Sequence, residues 1–357
     1  MDFQLDETQR EVAALAREVL GREQDPDAAW KALGRAGLLS LAVPEQLGGA
    51  GLGVLETALV LTEVGRRTAG VPALETLALG VLPVARTGTP GQRAALLGAV
   101  ADGAVLTGAV HEPSMPLPAA PRTTAEVDGD GWTVSGTLLG VRSAAQAHRV
   151  LVPATLSGRG TGVLLVDPDA AGVSMIPTRS SSGLPEATMR LAGVRVGPDG
   201  LLGGDHSGRV LAELHRLALA GACALGDGVL AGALELTADH LRTREQFGRP
   251  LATFQAVAQQ VADVYLASRT VHLASVAACW RLDTPSVETD PDDDLQVASY
   301  WFAEYALPAL QSCQHLHGGL GVDVSYPLHR HYAWGTDLAR FVGGVEHRLE
   351  VIACTSS

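Results

Sequence analysis

Arg244-Glu-Gln-Phe247-Gly-Arg-Pro-Leu-Ala-Thr-Phe254-Gln255 is the stretch on which the fold turns. A helix predicted over roughly 209–247 leads into it and a second, predicted over about 251–282, leads away. Gly248 and Pro250 stop the first, because Gly suits a C-cap and Pro lacks a backbone donor. The corner puts a guanidinium at one helix end and an amide near the start of the next. Arg offers a planar fork that matches a pyrophosphate. Phe247 offers an aromatic face, and Gln255 donates and accepts as a purine edge requires. The same residues also suit a plain interhelical corner with an incidental salt bridge, and spacing alone leaves both open.

Working outward, an acidic connection at Asp290-Pro-Asp-Asp-Asp precedes a third helix, which runs into Gln314-His315-Leu-His317-Gly318-Gly319-Leu-Gly321. Glycines there allow a backbone to approach a phosphate, or simply make a flexible turn. A fourth helix ends the chain, so 204–357 reads as an antiparallel four-helix bundle. Between about 108 and 203 the character changes. Thr133-Val-Ser, Val150-Leu-Val and Gly162-Val-Leu-Leu-Val are strand-like, and Asp128-Gly-Asp-Gly is a hairpin signal. Residues 1–107 return to helical spacing, as in Val12, Leu15, Ala16 and Val19, with a second helix over 55–66 and a third after Gly88-Thr-Pro-Gly. The reading is a mostly α chain: a helical N-domain (1–107), a small β-barrel or sandwich (108–203) and a C-terminal four-helix bundle (204–357).

Composition narrows the function. The 357 residues are 46% hydrophobic but only 4% aromatic, so Ala, Leu and Val must build the core. The net charge of −13 gives no basic footprint for nucleic acid and disfavours anionic membranes. The four cysteines (Cys223, Cys279, Cys313, Cys354) form no CxxC pair, which fits free thiols in a cytoplasmic protein. The acidic N-terminus has no signal-peptide character. The most apolar stretch, 217–226, is too short to span a bilayer and reads as a buried helix.

With these motifs in order, the chain resembles the acyl-CoA dehydrogenase family over nearly its whole length. The opening Phe3-Gln-Leu-Asp-Glu-Thr-Gln9, the segment Val43-Pro-Glu-Gln-Leu-Gly-Gly-Ala-Gly and the exit Ala192-Gly-Val-Arg-Val-Gly-Pro are similar to the family's. So are Arg244, Phe247 and Gln255 in its Arg-x-x-Phe-Gly…Phe-Gln motif, and His315, Gly318 and Gly319 in its Gln-x-x-Gly-Gly motif, with His in place of Gln. The resemblance implies that Arg244, Phe247, Gln255, His315, Gly318 and Gly319 bind the ADP half of an FAD shared with a neighbouring subunit. It implies an acyl-CoA substrate and an electron-transfer flavoprotein as acceptor.

The departures are as informative. The family reaction removes an α-proton with a carboxylate and a β-hydride with flavin N5. The carboxylate comes from a Tyr-Glu-Gly-Thr motif; here Phe341-Val342-Gly343-Gly344 stands there, so Val342 holds the base position. Some relatives carry the base on the first bundle helix, where this chain has His215, a residue that equally suits an ordinary helix histidine. Glu213 faces another side of that helix, and Glu346 is weaker still. The flavin-cradling loop Thr-Glu-Pro-Gly-x-Gly-Ser-Asp reads His111-Glu-Pro-Ser114-Met-Pro-Leu-Pro118, and the ring-packing Lys-x-Trp-Ile-Thr reads Leu138-Leu-Gly140-Val-Arg142. The pattern resembles the degenerate subunit of actinobacterial heterotetrameric (α2β2) enzymes that act on steroid side-chain CoA esters. A homomeric dehydrogenase using His215 and a flavin-free scaffold are the alternatives.

Overall fold

The computed structural model describes residues 4–284 and 290–355. The first three residues, Phe3 of the opening motif among them, lie outside these. In chain order the first elements are α1 (Glu7–Arg22), α2 (Pro26–Arg35), α3 (Val54–Arg67), a π-helical segment (Leu74–Val81) continuing as α4 (Leu82–Thr87), and α5 (Pro90–Leu97). The β segment follows, then the long helices α6 (Arg209–Thr243), α7 (Gln255–Asp283), α8 (Pro291–His317), α9 (Leu328–Phe341) and α10 (Gly344–Thr355). The chain is mostly α with a β middle segment, as expected.

Local chemistry sets the helix starts. Asp25 caps α2 by accepting from the Ala28 N–H, Pro26 occupies its first turn, and Ala29, Trp30 and Leu33 are buried. Thr89 and Gln92 form a capping box on α5. Three sequence expectations are corrected. α6 ends at Thr243 rather than 247, because Phe247 and Gly248 both take positive φ (54° and 75°) and close a hairpin. A 3-10 turn over Leu251–Thr253 delays α7 until Gln255. The final helix is two, α9 and α10, parted by Gly343 and Gly344 at φ 95° and 77°.

The β segment is one seven-stranded sheet: β1 (Val105–Gly108), β4 (Thr124–Asp128), β5 (Gly131–Arg142), β6 (Ala147–Leu156), β7 (Gly160–Val166), β8 (Val173–Arg179) and β9 (Pro185–Val196), ordered β1-β6-β4-β5-β9-β8 with β7 on β6. Two tiny strands, β2 (His111–Glu112) and β3 (Met115–Pro116), pair apart from it. The Asp128-Gly-Asp-Gly signal is the β4–β5 turn, where Asp128 faces Gly131. Val134, Leu138, Val150, Val152, Met189 and Val194 fill the core of the sheet.

Contacts divide the chain into two compact units. One comprises the described residues of 1–21, 58–69 and 219–357, and the other those of 22–57 and 70–218. In the first, glycines let α3 and α6 approach closely. A Cβ on Gly65 would lie 2.0 Å from the Leu225 carbonyl oxygen, and one on Gly228 would lie 1.9 Å from that of Thr62. α6 is long and apolar enough to cross a membrane by length and composition, more than the short run 217–226 implied. Of its most apolar window, 89% is buried within the fold.

Candidate functional site

The Arg244–Gln255 corner sits in the first unit. Arg244 follows α6, its N–H on the His240 carbonyl at 2.8 Å and its own carbonyl taking the Leu251 N–H at 2.9 Å. The backbone is thus fixed, while the guanidinium is exposed and makes no ion pair among the described residues. Next comes the hairpin β10 (Glu245–Gln246) and β11 (Arg249–Pro250), turned by Phe247-Gly248. A Phe with φ of 54° is strained by about 1 kcal/mol or more. Its ring is 92% exposed, and its one ring contact among the described residues is edge-on with Phe254, centroids 6.1 Å apart. Nothing in the chain's own packing accounts for a strained, exposed aromatic, whereas a flat ligand would. Gln255 opens α7, also exposed.

The glycine motif ends α8. Gly318 has φ 60° and ψ −140°, a region only glycine enters readily. A Cβ at Gly318 or Gly319 would meet nothing within 4 Å, so this backbone faces open space. Gly321 differs, since a Cβ there would lie 2.5 Å from the Gln314 carbonyl oxygen. His315 is exposed on the last turn and His317 is buried. The His317 ring stacks on that of His240, centroids 4.4 Å apart, which ties the end of α8 to the last turn of α6. A cation without a counter-ion, bare backbone and an exposed aromatic face together fit a diphosphate joined to a base.

The residues that stand where the family cradles the flavin ring lie in the second unit. β2 and β3 close into a hairpin with His111 opposite Pro116, Ser114 in the left-handed region (φ 60°) and the Leu117 N–H spent on the Val110 carbonyl. The buried Glu112 carboxylate accepts from the Arg122 and Thr123 N–H groups, both at 2.7 Å, and from the Thr123 hydroxyl at 2.6 Å. This carboxylate is therefore consumed in holding the loop down.

The wall at 138–142 is rebuilt. β5 shifts register between Leu138 and Val141, Gly140 has φ 58°, and a Cβ on it would lie 3.6 Å from a Glu186 carboxylate oxygen. Arg142, opposite Glu186 in register, is 6% exposed. Its charge acts on Glu75 in the π-helical segment, whose carboxyl is pushed up by complete burial and drawn back by Arg142. The arginine that replaces the expected threonine is thus the counter-charge of a buried acid.

Val342 is fully buried at the end of α9, its N–H on the Leu338 carbonyl. His215 is half-buried on α6. Glu213 points elsewhere, pairing with Arg86 at 2.6 Å, and Glu346 is exposed. Sequence reasoning missed the Glu112 staple, the Glu75–Arg142–Glu186 cluster and the His240–His317 stack. All three are long-range pairings with no local pattern. It also missed a buried Asp227 carboxylate bonded to His272 Nδ1 at 2.8 Å.

Comparison with known proteins agrees with these features. The acyl-CoA dehydrogenase N-terminal domain matches residues 6–104 and the C-terminal domain residues 211–353. The acyl-CoA dehydrogenase FadE28 of Mycobacterium tuberculosis is 44% identical over all of this chain and 99% of its own length. Among solved structures, a variant of the Tcur3481-Tcur3483 steroid ACAD is 36% identical with a TM-score of 0.89, covering 98% of this chain and 99% of that one. The ChsE4-ChsE5 complex from Mycobacterium tuberculosis gives 31% and 0.90, covering 99% and 98%. The chain belongs to the acyl-CoA dehydrogenase family of FAD-dependent oxidoreductases.

Proposed function

We propose that this chain is a non-autonomous subunit that completes the FAD site of a homologous acyl-CoA dehydrogenase chain and does not hold a flavin ring of its own. One observation carries this: the bundle end is open and furnished for an ADP group, while the ring-side wall holds a buried Arg142 opposite a buried Glu186, with Gly140 in the left-handed region beside the Glu186 carboxylate. Arg244 would take the diphosphate, Phe247 and Gln255 the adenine end, and the His315, Gly318 and Gly319 turn the backbone contacts. When bound, FAD supplies the hydride acceptor for α,β-dehydrogenation of an acyl-CoA thioester. With Val342 at the usual base position, this chain has no carboxylate there to accept the α-proton, so that proton goes to the partner.

Two relatives support a heteromer. One is described as the Tcur3481-Tcur3483 steroid ACAD and the other as the ChsE4-ChsE5 complex. On that likeness the chain pairs with a homologous dehydrogenase chain and serves a steroid acyl-CoA substrate; we propose in addition an α2β2 assembly, a side-chain CoA ester as the substrate, an electron-transfer flavoprotein as the acceptor and a cytoplasmic location.

The test is assembly. Expressed alone, the chain should be insoluble or free of flavin. With a homologous dehydrogenase chain it should form a heteromer with about one flavin per two chains, because only one kind of ring site is intact. A homo-oligomer of this chain with full flavin occupancy would sink the proposal. His215→Ala separates the homomeric alternative. It should leave turnover of the complex within a few-fold of wild type, whereas losing a true general base costs about 10²–10⁴-fold. A hundredfold loss with flavin still bound would move catalysis into this chain.

A further inference from the structure

His240, His317 and Tyr326 belong to none of the roles above, yet they form the most connected polar cluster of the bundle end. His317 Nδ1 lies 2.8 Å from the Cys313 carbonyl, which can only accept, so Nδ1 carries the proton. Nε2 is left to accept from the Tyr326 hydroxyl at 3.2 Å. The His240 ring stacks on the face of the His317 ring, 20° from parallel. Tyr326 is itself pinned, its N–H on the Asp323 carbonyl and its carbonyl taking His329 Nδ1 at 2.6 Å. Along the chain, His240 stands one turn before Arg244 and accepts its N–H, and His317 immediately precedes Gly318.

We propose that His240, His317 and Tyr326 form a clamp that holds Arg244 and the Gly318–Gly319 turn in register for one dinucleotide, as positioning residues rather than ligands. This rests on the reading that the bundle end binds the ADP half of FAD. The clamp favours neutral imidazoles. Protonating His317 reverses its bond to Tyr326, whose hydroxyl must then accept, and it sets a cation against His240, which already faces Arg244. The charged and titratable groups facing the cluster are Asp239 at Tyr326 and Arg244 at His240, with Asp323 and His329 against the Tyr326 backbone. Burial holds both stacked histidines below the ordinary value; His240 is lowered further by His317 and Arg244, while hydrogen bonds to the Cys313 and Leu236 carbonyls draw His317 part of the way back. A histidine lowered in this way keeps the neutral, closed form above about pH 6.5 and loses it as the pH falls through its own lowered value. FAD retention should therefore be firm at neutral pH and fall in acid.

The experiment uses the FAD-loaded complex with its homologous partner chain and reads released flavin by fluorescence between pH 7.5 and 5. Tyr326→Phe keeps the ring and deletes one hydrogen bond, so FAD should bind about fivefold more weakly at pH 7.5. His240→Phe keeps a stacking ring without a titrating group. It should lose less affinity at pH 7.5 than Tyr326→Phe and shift the acid release to lower pH. If both variants match wild type in affinity and pH profile while Arg244→Ala still loses FAD, the clamp is wrong. If Arg244→Ala also retains FAD, the ADP-site reading has failed and the clamp falls with it.

Discussion

Arg244→Ala should weaken FAD binding to the assembled complex by about 10²–10⁴-fold while the protein stays folded. The guanidinium is exposed and makes no ion pair among the described residues, so removing it breaks nothing inside the chain. Against a diphosphate it offers a planar fork. Each charge-assisted hydrogen bond contributes roughly 1.5–3 kcal/mol, and two of them give about 3–6 kcal/mol, at about 1.4 kcal/mol per tenfold. The backbone at 244 is already fixed by His240 and Leu251, so little ordering entropy offsets the gain. Arg244→Lys should recover only part, since an ammonium is a point charge without the fork. Flavin content after gel filtration, with melting temperature as the control for folding, decides it. An Ala variant with normal flavin content would remove Arg244 from the site.

The α/β/α order was legible because it rests on local signals: helical spacing around Arg244, the Asp-Gly-Asp-Gly hairpin, the glycines after α8. What escaped had no such signal. Residues 74–84 are almost uniformly apolar and buried, so no periodicity marks the π-helical segment or α4. The helix end was overrun because nothing in the sequence of Glu245 to Gly248 forbids another turn; the left-handed pair Phe247-Gly248 decides it. The changes at Gly140 and Arg142 were visible as losses from a family pattern. That Arg142 answers Glu75 across the core, with Glu186 opposite it, is a tertiary fact that the sequence separates by long loops. The same holds for Glu112, legible as a surviving motif residue but not as a staple.

That staple gives the largest expected stability effect. Glu112 is 4% exposed, and its two oxygens take three donors from Arg122 and Thr123. Thr123 is itself buried against β5 at Gly136, where a Cβ would lie 2.3 Å from its hydroxyl oxygen, so the strand end cannot shift to find other partners. Glu112→Ala leaves the buried Thr123 N–H and hydroxyl unsatisfied, along with the part-buried Arg122 N–H. At about 1–3 kcal/mol for each stranded donor, with partial relief by water, the cost should be roughly 3–5 kcal/mol. Glu112→Gln should cost less, about 1–3 kcal/mol, since one oxygen still accepts while its amide nitrogen opposes a donor. Urea unfolding of the heteromeric complex measures both. The comparison also separates two roles for this residue. If Glu112 holds the 111–118 hairpin as a structural plug, the Ala variant loses stability first and any flavin lost goes with unfolding. If it served a bound ring instead, flavin would leave at unchanged stability. A Glu112→Ala protein within about 1 kcal/mol of wild type would show that the hairpin is held by other contacts.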